Sequence, residues 1–240
     1  MRLTGYLFTL ALVSVATSAQ AEEVTGQREG EALVYRVGDF DSVALGTSAS
    51  VDVRVGPAWS VRATGPAEAL GRLLIEREGR SLRIRPRNGW RNNRNAVDQQ
   101  VRVTITMPSL AAASIGGSGR MTVDRASGAS LRASVGGSGT LALGTVALDE
   151  LTVSIGGSGE ISASGRVNQL TVNNGGSGRF AAPGLRASSA TVSTAGSGRI
   201  SALVDGPAAV SLTGSGVVDL GQRARCTVRR VGSGRAICGG

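Results

Sequence analysis

The tripeptide Gly-Ser-Gly recurs seven times, at 117–119, 137–139, 157–159, 176–178, 196–198, 214–216 and 232–234. The steps between starts are 20, 20, 19, 20, 18 and 18 residues. A fixed short period means that one structural unit is copied along the chain and stacked on itself. Around each corner the apolar residues alternate. Leu151, Val153 and Ile155 precede one turn, with Thr152 and Ser154 between them, and Ile161 and Ala163 follow it, with Ser162 between them. Period two is the mark of a half-buried strand. A unit of 18–20 residues cannot bury its apolar face alone. Coiling it on its copies closes a core, with neighbouring strands parallel and about 4.8 Å apart. The sequence therefore predicts an all-β, parallel β-helix (solenoid) with about 18–20 residues per coil. It has seven Gly-Ser-Gly rungs plus less regular N-terminal coils. At each corner glycine supplies φ > 0 without steric cost, and the intervening serines can stack rung on rung. A flexible Gly/Ser linker would not carry alternating Leu, Val and Ile in constant register.

Composition narrows the function classes. The chain has no histidine, which removes Ser-His-Asp and Cys-His catalysis and every histidine-containing metal site. Two cysteines alone cannot build a tetrahedral zinc site. The nonapeptide calcium roll needs an aspartate two residues after the last glycine. Met121, Leu141, Ile161, Phe180 and Ile200 stand there instead. Glycan-cleaving solenoids need paired carboxylates, whereas Asp124, Asp149, Glu150, Glu160, Asp205 and Asp219 share no column of the repeat. No catalytic, metal or cofactor site is expected, and the chain reads as non-enzymatic. All 26 basic residues are arginine, and the formal charge of +9 suits an anionic partner such as acidic polysaccharide or envelope phosphate.

In chain order, residues 1–21 read as a secretory signal peptide, with Arg2, an apolar core from Tyr6 to Ala16, and Ala19-Gln-Ala21 as the cleavage site. This implies an exported protein of the periplasm, cell surface or extracellular space. Residues 22–38 read as a polar, poorly ordered lead-in, and 39–240 as the β-helix domain. Within that domain, Ala67–Leu74 reads as a turn or two of helix capping the rod, 73–76 with 81–85 as a hairpin, and 86–100 as a long polar loop. Trp90 sits in that loop among Arg87, Arg91 and Arg94, a candidate contact for a sugar or an anion. Stacking turns a repeat position into a row. Arg120, Arg179, Arg199 and Arg235 fall just after their corners, together with Thr140, Glu160 and Val217, and form a candidate basic stripe. A second row reads Arg132, Thr152, Thr171, Thr191, Ser211 and Thr227, and a third Ser134, Ser154, Asn173, Ser193, Thr213 and Arg229. Cys226 takes the inward place of Leu151 and Cys238 that of Ala163. An exported chain with two cysteines favours one disulfide, with two buried thiols as the alternative.

Phe40-Asp-Ser-Val43, Val51-Asp-Val-Arg-Val55, Ser81-Leu-Arg-Ile-Arg85 and Val103-Thr-Ile-Thr-Met-Pro-Ser-Leu110 precede the Gly-Ser-Gly rungs in that order. Over 39–240 this resembles the bacterial family called "putative auto-transporter adhesin, head GIN domain". The resemblance implies an exported right-handed parallel β-helix and brings no catalytic residues with it. The combined expectation is an adhesin-like module that contacts glycan or anionic surface material through exposed strand rows. The alternative is a structural envelope protein that meets another protein at the solenoid end or edge. A glycan-acting enzyme ranks behind both.

Overall fold

The structure is a computed structural model that describes residues 21–87 and 98–239. The signal-peptide reading of 1–21, except for Ala21, and the candidate contact at Trp90 lie outside the described residues. The strands are β1 (Glu22–Glu23), β2 (Gly26–Glu29), β3 (Ala32–Tyr35), β4 (Ser42–Leu45), β5 (Ser50–Val55), β6 (Ser60–Thr64), β7 (Leu73–Glu78), β8 (Ser81–Pro86) and β9 (Arg102–Met107). They continue as β10 (Ala112–Ile115), β11 (Arg120–Val135), β12 (Thr140–Ile155), β13 (Glu160–Asn174), β14 (Arg179–Gly196), β15 (Arg199–Val204), β16 (Pro207–Gly214), β17 (Val217–Asp219), β18 (Arg225–Val231) and β19 (Arg235–Ile237). A short helix, α1 (Ala67–Gly71), joins β6 to β7.

From β10 onward the chain is a parallel β-solenoid. β11, β12, β13 and β14 stack in order, and β15 through β19 continue the stack in shorter pieces. The strand alternation sorts the side chains. Met121, Leu141, Ile161, Phe180, Ile200 and Val218 form one inward column, each with no exposed surface. Leu131, Leu151 and Leu170 form another. Each such side chain taken from water contributes about 1.5–3 kcal/mol. No coil could gather that alone.

The corner glycines are required by space more than by backbone conformation. A Cβ on Gly137, Gly157 or Gly176 would lie 2.5 Å from a carbonyl oxygen of the coil beneath. Among the seven tripeptides, only Gly196, Gly214 and Gly232 have φ in the left-handed region, at 132°, 108° and 112°. The expectation that φ > 0 explains every corner is therefore corrected. Close approach of stacked backbones excludes the side chain at most of them. The serines do meet from coil to coil at two steps, Ser48 Oγ to Ser118 Oγ and Ser215 Oγ to Ser233 Oγ, both at 3.2 Å.

The N-terminal levels are stacked out of chain order. β4 and β5 lie between β10–β11 on one side and β8–β9 on the other. The outer edges of β8 and β9 are then covered by antiparallel strands. β7 pairs with β8 and β1 with β7; β6 pairs with β9, β3 with β6 and β2 with β3. Residues 22–35 are thus not a loose lead-in. A bare parallel edge would be a template for unwanted pairing, and these strands close it. Ala69 and Leu70 of α1 are buried at this end. The nearly buried Glu76 accepts two bonds from Arg85, from Nε at 2.6 Å and Nη2 at 2.7 Å, which hold its carboxyl below the ordinary carboxylate range.

One inward column turns polar. Asn174 follows Ile155, and Thr194 follows Asn174. Asn174 is satisfied by Gly176 N–H at 3.2 Å and by Gly178 O at 3.0 Å. Thr194 Oγ1 is buried and has no hydrogen-bond partner among the described residues. Thr194→Val keeps the shape and removes the orphaned hydroxyl. It is expected to raise stability by about 1 kcal/mol, read from the urea midpoint.

Candidate functional site

The ladder assembles one continuous row on the outer face, immediately after the corners. It runs Arg102, Ser50, Arg120, Thr140, Glu160, Arg179, Arg199, Val217, Arg235. All four arginines expected there, Arg120, Arg179, Arg199 and Arg235, lie in it and are exposed. None of the four has an acidic partner within ion-pair distance among the described residues. Arg179 and Arg199 are direct neighbours in the ladder, about 4.8 Å apart in backbone spacing. From Arg102 to Arg235 the row extends roughly 38 Å by that spacing.

Two residues further on, the neighbouring outward row is Thr104, Asp52, Thr122, Ala142, Ser162, Ala181, Ser201, Asp219. Apart from its two aspartates these side chains are small and uncharged, so the guanidinium groups stand above a low, flat strip. Arg102 is an addition to the expected stripe, and its Nε lies 3.7 Å from Asp52. Its membership follows from β9 stacking on β5, a non-local contact that the Gly-Ser-Gly period does not signal. Gly46-Thr-Ser-Ala49, a corner with two of its glycines replaced, stacks under 116–119 and brings Ser50 into the row.

The hydroxyl rows need correction. Thr191 lies beside Ala209, so Ser211 does not continue the Arg132, Thr152, Thr171, Thr191 row. Ser211 instead follows Ser193 in the other row, which reads Ser134, Ser154, Asn173, Ser193, Ser211, Arg229, without Thr213. The coil has shortened to 18 residues at this step. A register shift between Ala182 and Arg186 takes the offset from 20 to 17 upstream of the strand, and one residue is regained before Ala190 pairs with Ala208.

Most of the carboxylates considered for catalysis serve the fold. Asp124 Oδ1 accepts the N–H groups of Val55 and Arg125 at 3.0 and 2.6 Å. Asp149 accepts from Asn168 Nδ2 at 2.9 Å, Glu150 from the Thr152 hydroxyl at 3.1 Å, and Asp219 from Gly221 N–H at 3.1 Å. Asp205 pairs with Arg186 and Arg223 at 3.4 and 3.5 Å. Cys226 and Cys238 form a disulfide with a Cα–Cα distance of 6.2 Å. No helix of the described residues is long and apolar enough to cross a membrane.

Solved structures share this architecture. One described as a "putative adhesin" from Bacteroides fragilis has a TM-score of 0.75 at 16% identity, covering 90% of this chain and 97% of its own. One described as a "putative lipid binding protein" from Parabacteroides distasonis has a TM-score of 0.67 at 22% identity, covering 90% and 98%. A "putative adhesin" from the same species has a TM-score of 0.59 at 18% identity, covering 90% and 99%. At these identities the likeness speaks for the fold. No curated protein matches the chain. The model of one family matches residues 39–223, more than half of the sequence. The chain belongs to the family described as "putative auto-transporter adhesin, head GIN domain".

Proposed function

We propose that the protein is an exported, non-enzymatic, adhesin-like module that binds acidic polysaccharide or phosphate-bearing surface material along the arginine row. The observation that carries this reading is the row itself. Arg120, Arg179, Arg199 and Arg235 are exposed, share one line, and lack acidic partners among the described residues. A linear polyanion can lie along such a line and meet charge after charge. The disulfide fits an oxidising compartment, as export requires. The engagement of five of the six carboxylates in structural bonds argues against a carboxylate-pair hydrolase. The name of the Parabacteroides relative brings lipid into view. The solenoid interior here is filled by Met121, Leu141, Ile161, Phe180 and Ile200. A lipid would therefore meet this surface through an anionic headgroup.

The test is binding to heparin, used as a linear polyanion, at two salt concentrations. At low salt, Arg179→Ser/Arg199→Ser/Arg235→Ser is expected to weaken binding about tenfold, since each exposed ion pair contributes roughly 0.5 kcal/mol. High salt should erase most of the difference. Arg28→Ser/Arg54→Ser/Arg166→Ser removes the same charge from exposed positions outside the row. An equal loss in this control would show that net charge, rather than the row, does the binding.

A further inference from the structure

The contraction of the coil leaves a recess on the outer face. Ala182 pairs with Ala202 and Arg186 with Leu203, so residues 183–185 of β14 have no counterpart in β15. Beside this step lies a notch of about 310 Å³, whose walls include Arg186, Leu203, Asp205, Gly221, Gln222 and Arg223. Its floor is apolar. Ala202 and Val204 are buried, and alternation turns Leu203 between them outward, where it stays partly exposed. The next level gives way for it. Gly221 has φ of 78°, and a Cβ there would lie 3.0 Å from Leu203 Cδ2.

The rim is polar, and its charges do not cancel. One carboxylate, Asp205, stands between two guanidinium groups, with Arg186 Nη1 at 3.4 Å and Arg223 Nε at 3.5 Å. Both contacts are longer than the roughly 2.7–2.9 Å of a tight charge-assisted bond. The Arg223 side chain is 69% exposed, and Gln222 beside it is exposed as well. The rim thus offers one net positive charge, guanidinium donors, a carboxylate acceptor and an amide above an apolar floor. A bare phosphate would face Asp205 and gain nothing from Leu203. A hydroxylated ring that carries a carboxylate uses every one of these groups. A cavity of about 150 Å³ already holds a benzene ring, so the notch has room for one pyranose with its substituents. Arg199 and Leu203 both point outward from β15, four residues or about 13 Å apart. A chain held on the arginine row reaches the notch within a few sugar units.

We propose that the notch seats one uronic acid residue of an acidic polysaccharide, a reading that rests on the arginine row as the track for that chain. The apolar face of the ring lies on Leu203, its carboxylate accepts from Arg223, and its hydroxyls donate to Asp205. The row attracts any polyanion, and the notch selects sugar acids among them.

The probe is a trimer of α-1,4-linked galacturonic acid, titrated into the protein and followed by amide chemical shifts and calorimetry. Tripolyphosphate, a polyanion without a ring, is the comparison. We expect the trimer to shift the amides of 203–205 and 220–223 together with those of the row, and tripolyphosphate to shift those of the row alone. Leu203→Ser, at an outward position, should weaken the trimer about fivefold through lost apolar contact and leave tripolyphosphate unchanged. Methyl esterification of the trimer keeps the rings, removes the charges and should cost about tenfold. Trimer shifts confined to the row, or equal losses of both ligands in Leu203→Ser, would overturn the notch and leave the row standing. Tripolyphosphate binding untouched by Arg179→Ser/Arg199→Ser, with the trimer still weakened by Leu203→Ser, would remove the row and leave the notch as the site.

Discussion

Gly157→Ala is expected to lower stability by about 3 kcal/mol, the upper end of what overpacking a close-packed site costs, while Gly156→Ala stays within about 0.5 kcal/mol. The two residues are adjacent and chemically identical. Their surroundings differ. A Cβ on Gly157 would sit 2.5 Å from Gly137 O and 3.2 Å from Gly136 O. Both obstacles are backbone of the coil beneath, held by the ladder on either side. They cannot yield without lengthening hydrogen bonds along that edge. A Cβ on Gly156 meets nothing nearer than Gly136 Cα at 3.9 Å, which is ordinary contact. Neither residue has φ in the left-handed region. The predicted difference is therefore one of space alone. Urea unfolding followed by circular dichroism measures it. Equal losses at both positions would mean that the coils are not stacked as described.

The second large effect concerns the cystine. Replacing Cys226 and Cys238 by serine removes a crosslink between residues 12 apart in sequence. By the loop-entropy relation such a link contributes about 3 kcal/mol. In a solenoid each level leans only on its neighbours, so the loss should stay local. Amide exchange across β18 and β19 is expected to speed up roughly a hundredfold, which is about 3 kcal/mol at 1.4 kcal/mol per decade. The amides of β11 to β13 should keep their protection. A uniform loss across all strands would contradict nearest-neighbour stacking.

Where contacts are repeated at a constant interval, the sequence spells out the fold. The inward columns of Met121, Leu141 and Ile161, the row of Arg120, Arg179, Arg199 and Arg235, the β7–β8 hairpin and the facing of the two cysteines all follow from alternation plus period. What escaped reading depends on contacts without a period. Nothing local in Arg102 or Gly46-Thr-Ser-Ala49 shows that β8–β9 will slide under β4–β5. The pairing of residues 22–35 answers a need created elsewhere, the bare edges of β8 and β9. Ser211 was misplaced for a subtler reason. A coil that drops two residues can lose them on either side of a strand, and only the packing at Ala182 to Arg186 decides which. The corner glycines answer mainly to crowding from the next coil; only at Gly196, Gly214 and Gly232 does a left-handed backbone also call for glycine.

The claim beneath all of this is that the corners stack along one straight edge, level upon level. Spin labels placed at Ser118 with Ser197, and at Ser118 with Ser233, test it by pulsed dipolar spectroscopy. The labelled corners are four and six coils apart along the ladder. The expected backbone separations are roughly 19 Å and 29 Å at about 4.8 Å per level. A second distance no longer than the first would show that the corners do not share an edge, and the arginine row would cease to exist as a surface.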